Sequence, residues 1–170
     1  MKKIFIILSV IILIVVGNKE NEKITIPDKS IRIRVIANSN NLEDQILKLK
    51  VKESVTNKLY ENLKTTKTIE DARTSIKNNL NNIDNIVKTT LNNDKYTINY
   101  GNNYFPEKEL YGISYNEGNY ESLVIKIGES KGNNWWCVLF PPICMIEGEY
   151  SDINNVEYKS KVLEILKEYK

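Results

Sequence analysis

The rarest and bulkiest residues of this chain are concentrated in one block, residues 132–144 (Gly-Asn-Asn-Trp-Trp-Cys-Val-Leu-Phe-Pro-Pro-Ile-Cys). Both tryptophans, both cysteines and two of the four prolines in 170 residues lie within it. Residues of these types at this density anchor a core or a contact surface. The segment Trp135–Phe140 is predicted to be a strand that ends at Pro141-Pro142, because proline cannot continue a hydrogen-bonded ladder.

Trp135 and Trp136 are adjacent, so a strand points them to opposite faces of its sheet. Two interpretations follow. In the first, one tryptophan fills the core and the other forms a partner-binding anchor with Phe140, Pro141 and Pro142, since aromatic residues dominate the binding energy of protein interfaces. In the second, the sheet is buried on both faces and both tryptophans belong to the core.

Cys137 and Cys144 lie on either side of the prolines. A hairpin that paired Val138 with Ile143 would set the two cysteines opposite each other. A disulfide would then be favoured if the protein is exported, because the environment outside the cytoplasm is oxidising. The alternative is two buried thiols that act as small apolar residues. A catalytic thiol is disfavoured, because the sequence offers no histidine to activate it.

An early strand is predicted from the pattern of residues 31–37. Isoleucine and valine alternate there with Arg32 and Arg34, which is typical of a strand with one buried face. Two long helices follow. The first is predicted to begin at Asn40, with Glu43 as its capping-box partner. The backbone amides of Asn38, Ser39 and Asn40 could hold an anionic group, but helix capping accounts for Asn40 and Glu43 and is preferred.

The second helix is predicted to begin at Thr68, with Asp71 in the reciprocal capping position, and to end at Asn92-Asn93. Both helices carry apolar residues at spacings of three and four, which is typical of a helix with one buried face. These are Leu42, Ile46, Leu47, Val51, Val55, Leu59 and Leu63 in the first helix, and Ile69, Ala72, Ile76, Leu80, Ile83, Val87 and Leu91 in the second.

Strand patterns return after the second helix. Tyr96–Tyr100 alternates, Gly101–Asn103 is predicted to be a turn, Tyr120–Ile127 is a stronger strand, and Gly128–Asn134 is a loop. An apolar stripe predicts a C-terminal helix over Val156–Tyr169. This order predicts a two-layer α+β domain with helices packed on one face of a mixed, mostly antiparallel sheet.

The N-terminal segment is predicted to direct export. Lys2 and Lys3 precede Ile4–Val16, which is apolar almost throughout. Its length fits the hydrophobic region of a signal peptide and is shorter than the about 20 residues of a transmembrane helix. Residues 1–17 are therefore interpreted as a signal peptide or an uncleaved membrane anchor, and residues 18–30 as a linker.

The balance of charge excludes one class of partner. The chain has 24 basic and 22 acidic residues, and two of the basic ones, Lys2 and Lys3, lie in the export segment. Nucleic-acid binding needs a clustered excess of lysine and arginine to neutralise phosphates. The remaining, neutral chain therefore predicts no nucleic-acid partner.

The chain has no histidine, which excludes Ser-His-Asp and Cys-His catalytic sites and zinc sites built on imidazole. It has no glycine-rich phosphate loop, and we expect no metal and no cofactor. Composition leaves open a hydrolase that uses carboxylates alone. The candidates for such a site are Glu43, Asp44, Glu121 and Glu129.

Residues 132–144 resemble the signature of the stage II sporulation protein R family. Residues 31–52 (Ile-Arg-Ile-Arg-Val-Ile-Ala-Asn-Ser-Asn-Asn-Leu-Glu-Asp-Gln-Ile-Leu-Lys-Leu-Lys-Val-Lys) are similar to the family's opening strand and first helix. Tyr104-Phe105-Pro106 and the Gly128–Gly132 segment follow in the family order. The resemblance covers residues 31–146, which leaves residues 147–170 as a C-terminal helical extension.

The resemblance implies a signalling protein that is made in the forespore and exported into the space between the forespore and mother-cell membranes. There it would trigger a membrane-embedded aspartic protease of the mother cell, which processes the precursor of the early mother-cell sigma factor. Such a protein is an activator and not an enzyme, and an uncleaved N-terminal segment would anchor it to the membrane. The resemblance also favours the tryptophan block as its contact with the protease.

The alternative function is an exported cell-wall-binding module or a carboxylate-dependent cell-wall hydrolase. Ten tyrosines and two tryptophans would supply aromatic rings for stacking on sugars. Paired acidic residues near such an aromatic surface would distinguish this alternative.

Overall fold

The computed structural model describes residues 24–92, 94–144, 146 and 155–169. In chain order the elements are β1 (Ile24–Thr25), β2 (Ile31–Ile36), α1 (Leu42–Leu63), α2 (Ile69–Thr90), β3 (Tyr96–Phe105), β4 (Lys108–Leu110), β5 (Ile113–Tyr115), β6 (Gly118–Ile127), β7 (Asn134–Phe140) and α3 (Asn155–Glu168). The predicted export segment, residues 1–17, lies outside the described residues. No helix among those described is both long and apolar enough to span a bilayer.

The main sheet has four strands in the order β3-β6-β2-β7. Strand β2 runs parallel to β6 and antiparallel to β7, and β6 runs antiparallel to β3. The parallel pair requires a long connection, which the two helices and β3 supply. The α+β class and the mixed, mostly antiparallel sheet are therefore confirmed.

One face of this sheet is covered by α1 and α2. Ile31, Ile33 and Val35 point into this helix-side core, because alternate residues of β2 share a face. The helices contribute apolar residues one turn apart: Val51, Val55, Leu59 and Leu63 from α1, and Ala72, Ile76, Ile83 and Val87 from α2. The predicted packing of helices on one face is confirmed for α1 and α2, whereas α3 lies on the other face.

The opposite face of the main sheet is also covered. A small sheet in the order β1-β5-β4 and helix α3 pack there around a second core. Residues 24–30, which the sequence indicated to be linker, contribute β1 and the fully buried Ile26. Arg32, expected on an open face of its strand, is consequently fully buried.

The N-terminus of α2 is capped as its local sequence predicts, whereas the residue predicted to cap α1 makes a long-range contact instead. Thr68 caps α2, since its side chain accepts a hydrogen bond from the amide of Asp71, as predicted. The prediction that Asn40 caps α1 is wrong. The helix begins at Leu42 after Asn41, and the Asn40 side chain instead accepts a hydrogen bond from the amide of Asn133.

The predicted turn at Gly101–Asn103 is also wrong. These residues continue β3 and pair with Ser122, Glu121 and Tyr120 of β6. The Asn103 side chain donates to Ser122 Oγ at 3.0 Å, so its amide stabilises the strand pair rather than a turn.

Candidate functional site

The tryptophan block lies on β7, which pairs with β2 of the main sheet. Trp135 and Trp136 point to opposite faces, as expected for neighbours on a strand. Trp135 packs at the border of the helix-side core and is partly exposed, whereas Trp136 is 7% exposed in the second core. The two tryptophans therefore have different environments.

Trp136 is the centre of a cluster of aromatic rings between the main sheet and the small sheet. Its ring lies 5.4 Å from that of Phe105 and 5.2 Å from that of Tyr115, both in edge-to-face geometry. The ammonium of Lys108 lies 5.0 Å from the centre of the same ring. Edge-to-face pairs add stability beyond buried area, so Trp136 holds the two sheets together.

Arg32 enters this cluster from β2. Its guanidinium lies 3.3 Å from the centre of the Tyr120 ring and 5.3 Å from those of Phe105 and Trp136. Within the described residues, none of its three nitrogens has a hydrogen-bond partner. Burial lowers the pKa of Arg32, and Tyr120 opposes part of that effect. Aromatic faces are thus its principal contacts.

The other proposed contact residues are distributed between core and surface. The Phe140 ring lies 5.1 Å from that of Tyr169, the residue that follows α3. Phe140 and Pro141 are buried. Pro142 is partly exposed. Among the five residues of the predicted anchor, Trp135 and Pro142 therefore offer surface to a partner, while Trp136, Phe140 and Pro141 belong to the core.

Cys137 and Cys144 are both buried thiols that pack in the helix-side core. The hairpin considered for a disulfide does not form: β7 ends at Phe140, and the Ile143 amide donates to the carbonyl of Pro141 rather than to a residue of β7. The structure therefore corresponds to the alternative of two small apolar residues.

Two loops that the sequence assigned to separate roles meet at one end of the main sheet. We call residues 38–40 and 128–133 the loop junction. The Asn38 side chain accepts a hydrogen bond from the Glu129 amide at 2.9 Å, and the Asn40 side chain accepts one from the Asn133 amide at 2.7 Å. Backbone hydrogen bonds from Lys131 to Asn38 and from Gly132 to Ala37 complete it.

Glycine is required at two positions of the loop junction. Gly128 has a φ of +53°, and a side chain there would clash with the Asn38 side chain. A side chain at Gly132 would clash with the backbone of Ser39. The close approach of the loops therefore explains both glycines of the Gly128–Gly132 segment.

Asp44 fastens the first loop to helix α1. Its Oδ2 accepts hydrogen bonds from Ser39 Oγ at 2.6 Å and from Asn38 Nδ2 at 2.9 Å. These two hydrogen bonds lower the pKa of Asp44, and the bond from Ser39 has the larger effect. Asp44 is therefore a carboxylate at neutral pH and a structural element of the junction.

A cavity of about 210 Å³ lies beside the loop junction. It is lined by Asn38, Asp44, Leu47, Asp94, Lys95, Ile127 and Gly128. Two backbone hydrogen bonds hold the lining residues Asp94 and Lys95 in place. The Gly128 amide donates to the Lys95 carbonyl, and the Asp94 amide donates to the Leu91 carbonyl.

Two of the four candidate hydrolase carboxylates are engaged by structural partners, and the other two are exposed. Glu121 makes a two-pronged ion pair with Arg73, with Nε–Oε1 and Nη2–Oε2 distances of 2.8 Å, and accepts a hydrogen bond from Tyr100 at 2.6 Å. Asp44 is held in the loop junction, and Glu43 and Glu129 are exposed. No group of three or more metal-ligating side chains occurs among the described residues.

An exposed apolar stripe on α1 is the feature that the sequence analysis missed. Leu42, Ile46 and Leu49 are 75%, 44% and 50% exposed and recur along one side of the helix. The sequence placed Leu42 and Ile46 in the buried face, because their spacing continues that of Val51 and the later residues. One turn after Leu49, the Lys52 ammonium lies 4.9 Å from the centre of the Trp135 ring, so the stripe runs toward Trp135.

Residues 27–150 match the family model described as stage II sporulation protein R. The chain is 38% identical over 133 residues to the stage II sporulation protein R of Bacillus subtilis strain 168. This match covers 75% of the present chain and 59% of the Bacillus protein, so the chain spans less than two thirds of its relative's length. No solved structure matches the chain significantly. The loop junction and the tryptophan block both lie inside the matched region, and the chain belongs to the stage II sporulation protein R family.

Proposed function

We propose that this chain is an exported signalling protein of sporulation that activates a membrane-embedded aspartic protease of the mother cell. The activated protease processes the precursor of the early mother-cell sigma factor. Membership of the stage II sporulation protein R family is the observation that carries this proposal. The apolar segment behind Lys2 and Lys3 supports export into the space between the two membranes.

The chain acts in this proposal as a ligand and not as an enzyme. Its best-placed candidate acid, Glu121, is occupied by Arg73 and Tyr100, and Asp44 holds a loop in place. Groups that are committed to such partners stabilise the fold. The function therefore depends on a surface that the protease recognises.

We place that surface at Trp135 and the exposed apolar stripe of Leu42, Ile46 and Leu49. Trp135 is the partly exposed tryptophan of the family block, and large exposed apolar side chains are the residues that a partner buries. Trp136 contributes to the same surface indirectly, because it fixes β7 against the small sheet.

The test is co-expression of this chain, the protease and the sigma-factor precursor in a host that does not sporulate. Cleavage of the precursor, followed by immunoblot, should require this chain. Trp135→Ala, and separately Leu42→Ser combined with Leu49→Ser, should abolish cleavage while the exported variants keep the circular dichroism of the parent.

Two variants serve as matched controls. Tyr104→Ala removes an aromatic side chain that is 55% exposed on β3, at the opposite edge of the main sheet from β7. Leu163→Ala removes a leucine that is 39% exposed on α3. Both should support normal cleavage. Equal cleavage with and without the chain would overturn the activator proposal, and binding of the purified chain to cell-wall sacculi would then favour the cell-wall alternative.

A further inference from the structure

The cavity beside the loop junction combines an apolar floor with a charged rim. Leu47 of α1 and the buried Ile127 of β6 provide the apolar part. Asp44 and Asp94 provide two carboxylates, and Lys95 provides one ammonium. The lining therefore carries a net negative charge, which favours a cationic occupant over an anionic one.

The size of the cavity limits what it can hold. Sites for metabolites and drug-sized ligands measure about 300–1,000 Å³, whereas this cavity measures about 210 Å³. A single long side chain is a better match than a whole small molecule. Lysine and arginine carry an apolar stem beneath a charged head, which corresponds to the apolar floor and the acidic rim.

We propose that this cavity binds a lysine or arginine side chain of a partner protein, with the stem on Leu47 and Ile127 and the cationic head against Asp44 and Asp94. A carboxylate accepts about four hydrogen bonds, so Asp44 can accept from a ligand as well as from Ser39 and Asn38. Arginine suits this role because its planar group can bind a carboxylate through two parallel hydrogen bonds.

Lys95 is the one cation among the lining residues, and it opposes the binding of a second cation. Its side chain is exposed, so it can be replaced without opening the core. Removal of its charge should therefore strengthen binding, whereas removal of the Asp94 charge should weaken it. Effects that are confined to these two residues, and absent when an acid outside the lining is neutralised, distinguish a specific site from general attraction to an acidic surface.

The experiment is an NMR titration of the full chain, labelled with ¹⁵N, with Nα-acetyl-arginine amide. The amide signals of Asn38, Ile127 and Gly128 should shift in a saturable way. Nα-acetyl-citrulline amide, which has the same shape without the charge, should bind at least about fivefold more weakly, because a charge-assisted hydrogen bond is roughly twice as strong as a neutral one.

Asp94→Asn should weaken the binding of the arginine ligand about threefold, and Lys95→Gln should strengthen it to a similar extent, as expected for exposed charge pairs. Glu107→Gln removes an exposed charge that lies outside the cavity lining and should leave the affinity unchanged. Equal binding of the citrulline ligand, or an unchanged affinity in Asp94→Asn, would overturn the proposal. Because the ligand is added directly, this result does not depend on activation of the protease.

Discussion

The guanidinium of Arg32 lies 3.3 Å from the centre of the Tyr120 ring, in the interior of the domain. Removal of an unpaired charge from water costs several kcal/mol, and a desolvated cation–π contact returns about 2 kcal/mol. We therefore expect desolvation to outweigh the ring contacts, so that Arg32 is retained at a cost to stability.

Arg32→Met should consequently raise the free energy of unfolding, by about 1–3 kcal/mol. Methionine keeps the apolar stem and removes the charge that burial penalises. Urea denaturation of the purified protein measures the change. Tyr120→Leu should lower the same quantity by about 2–4 kcal/mol, since the charge then loses its closest ring. A loss of stability in Arg32→Met would show that the aromatic contacts outweigh desolvation.

The neighbouring tryptophans should respond differently to replacement by alanine. Trp136→Ala opens a cavity between two packed sheets and should cost about 3–5 kcal/mol of stability. Trp135→Ala removes a partly exposed ring and should cost about 1 kcal/mol. Thermal unfolding followed by circular dichroism measures both. Equal losses would mean that Trp135 is as deeply packed as Trp136 and is no contact residue.

Alanine should be poorly tolerated at the glycines of the loop junction. Gly128→Ala places a side chain at positive φ and against Asn38, and Gly132→Ala places one against the backbone of Ser39. Each should lower the free energy of unfolding by about 1–3 kcal/mol. Gly101→Ala is the matched control. Gly101 lies in an extended strand with room for a methyl group, so its replacement should be neutral or stabilise by about 0.5 kcal/mol.

The ion pair between Glu121 and Arg73 should make stability depend on pH. The hydrogen bonds and charge of Arg73 lower the pKa of Glu121 below its ordinary value of 4.5. Because the folded protein holds the ionised form more strongly, the stabilisation is fully present above pH 4.5 and is lost as the pH falls through the lowered pKa.

Glu121→Gln should therefore cost about 1–2 kcal/mol at pH 7 and progressively less as the pH falls below 4.5. Chemical denaturation of wild-type and variant proteins from pH 7 to pH 2.5 measures this difference. Glu107→Gln, at an exposed acid, should follow the wild type throughout. A difference between Glu121→Gln and wild type that stays constant with pH would contradict a role for the ionised carboxylate.

The features that the sequence predicts correctly depend on residues close together along the chain. Thr68 and Asp71 cap a helix through a hydrogen bond three residues apart, and Trp135 and Trp136 take opposite faces because strands alternate. The class of fold follows from the same local periodicities.

The features that the sequence missed depend on partners far away. Asn40 has the side chain of a helix cap, but the Asn133 amide binds it across 93 residues. Arg32 resembles a solvent-facing strand residue until the small sheet and α3 cover its face. The exposure of Leu42 and Ile46 likewise depends on how far the sheet extends beneath α1, which periodicity does not reveal.

The register of β2 has a consequence for the order in which the domain is assembled. Ile33 pairs with Leu123 on one side and with Cys137 on the other. The second strand of the chain therefore finds its neighbours only after about ninety further residues have become available. Contacts of such long sequence separation form slowly, so we expect β2 to pair only after β6 and β7 have been synthesised. The main sheet is accordingly completed late, when β7 arrives.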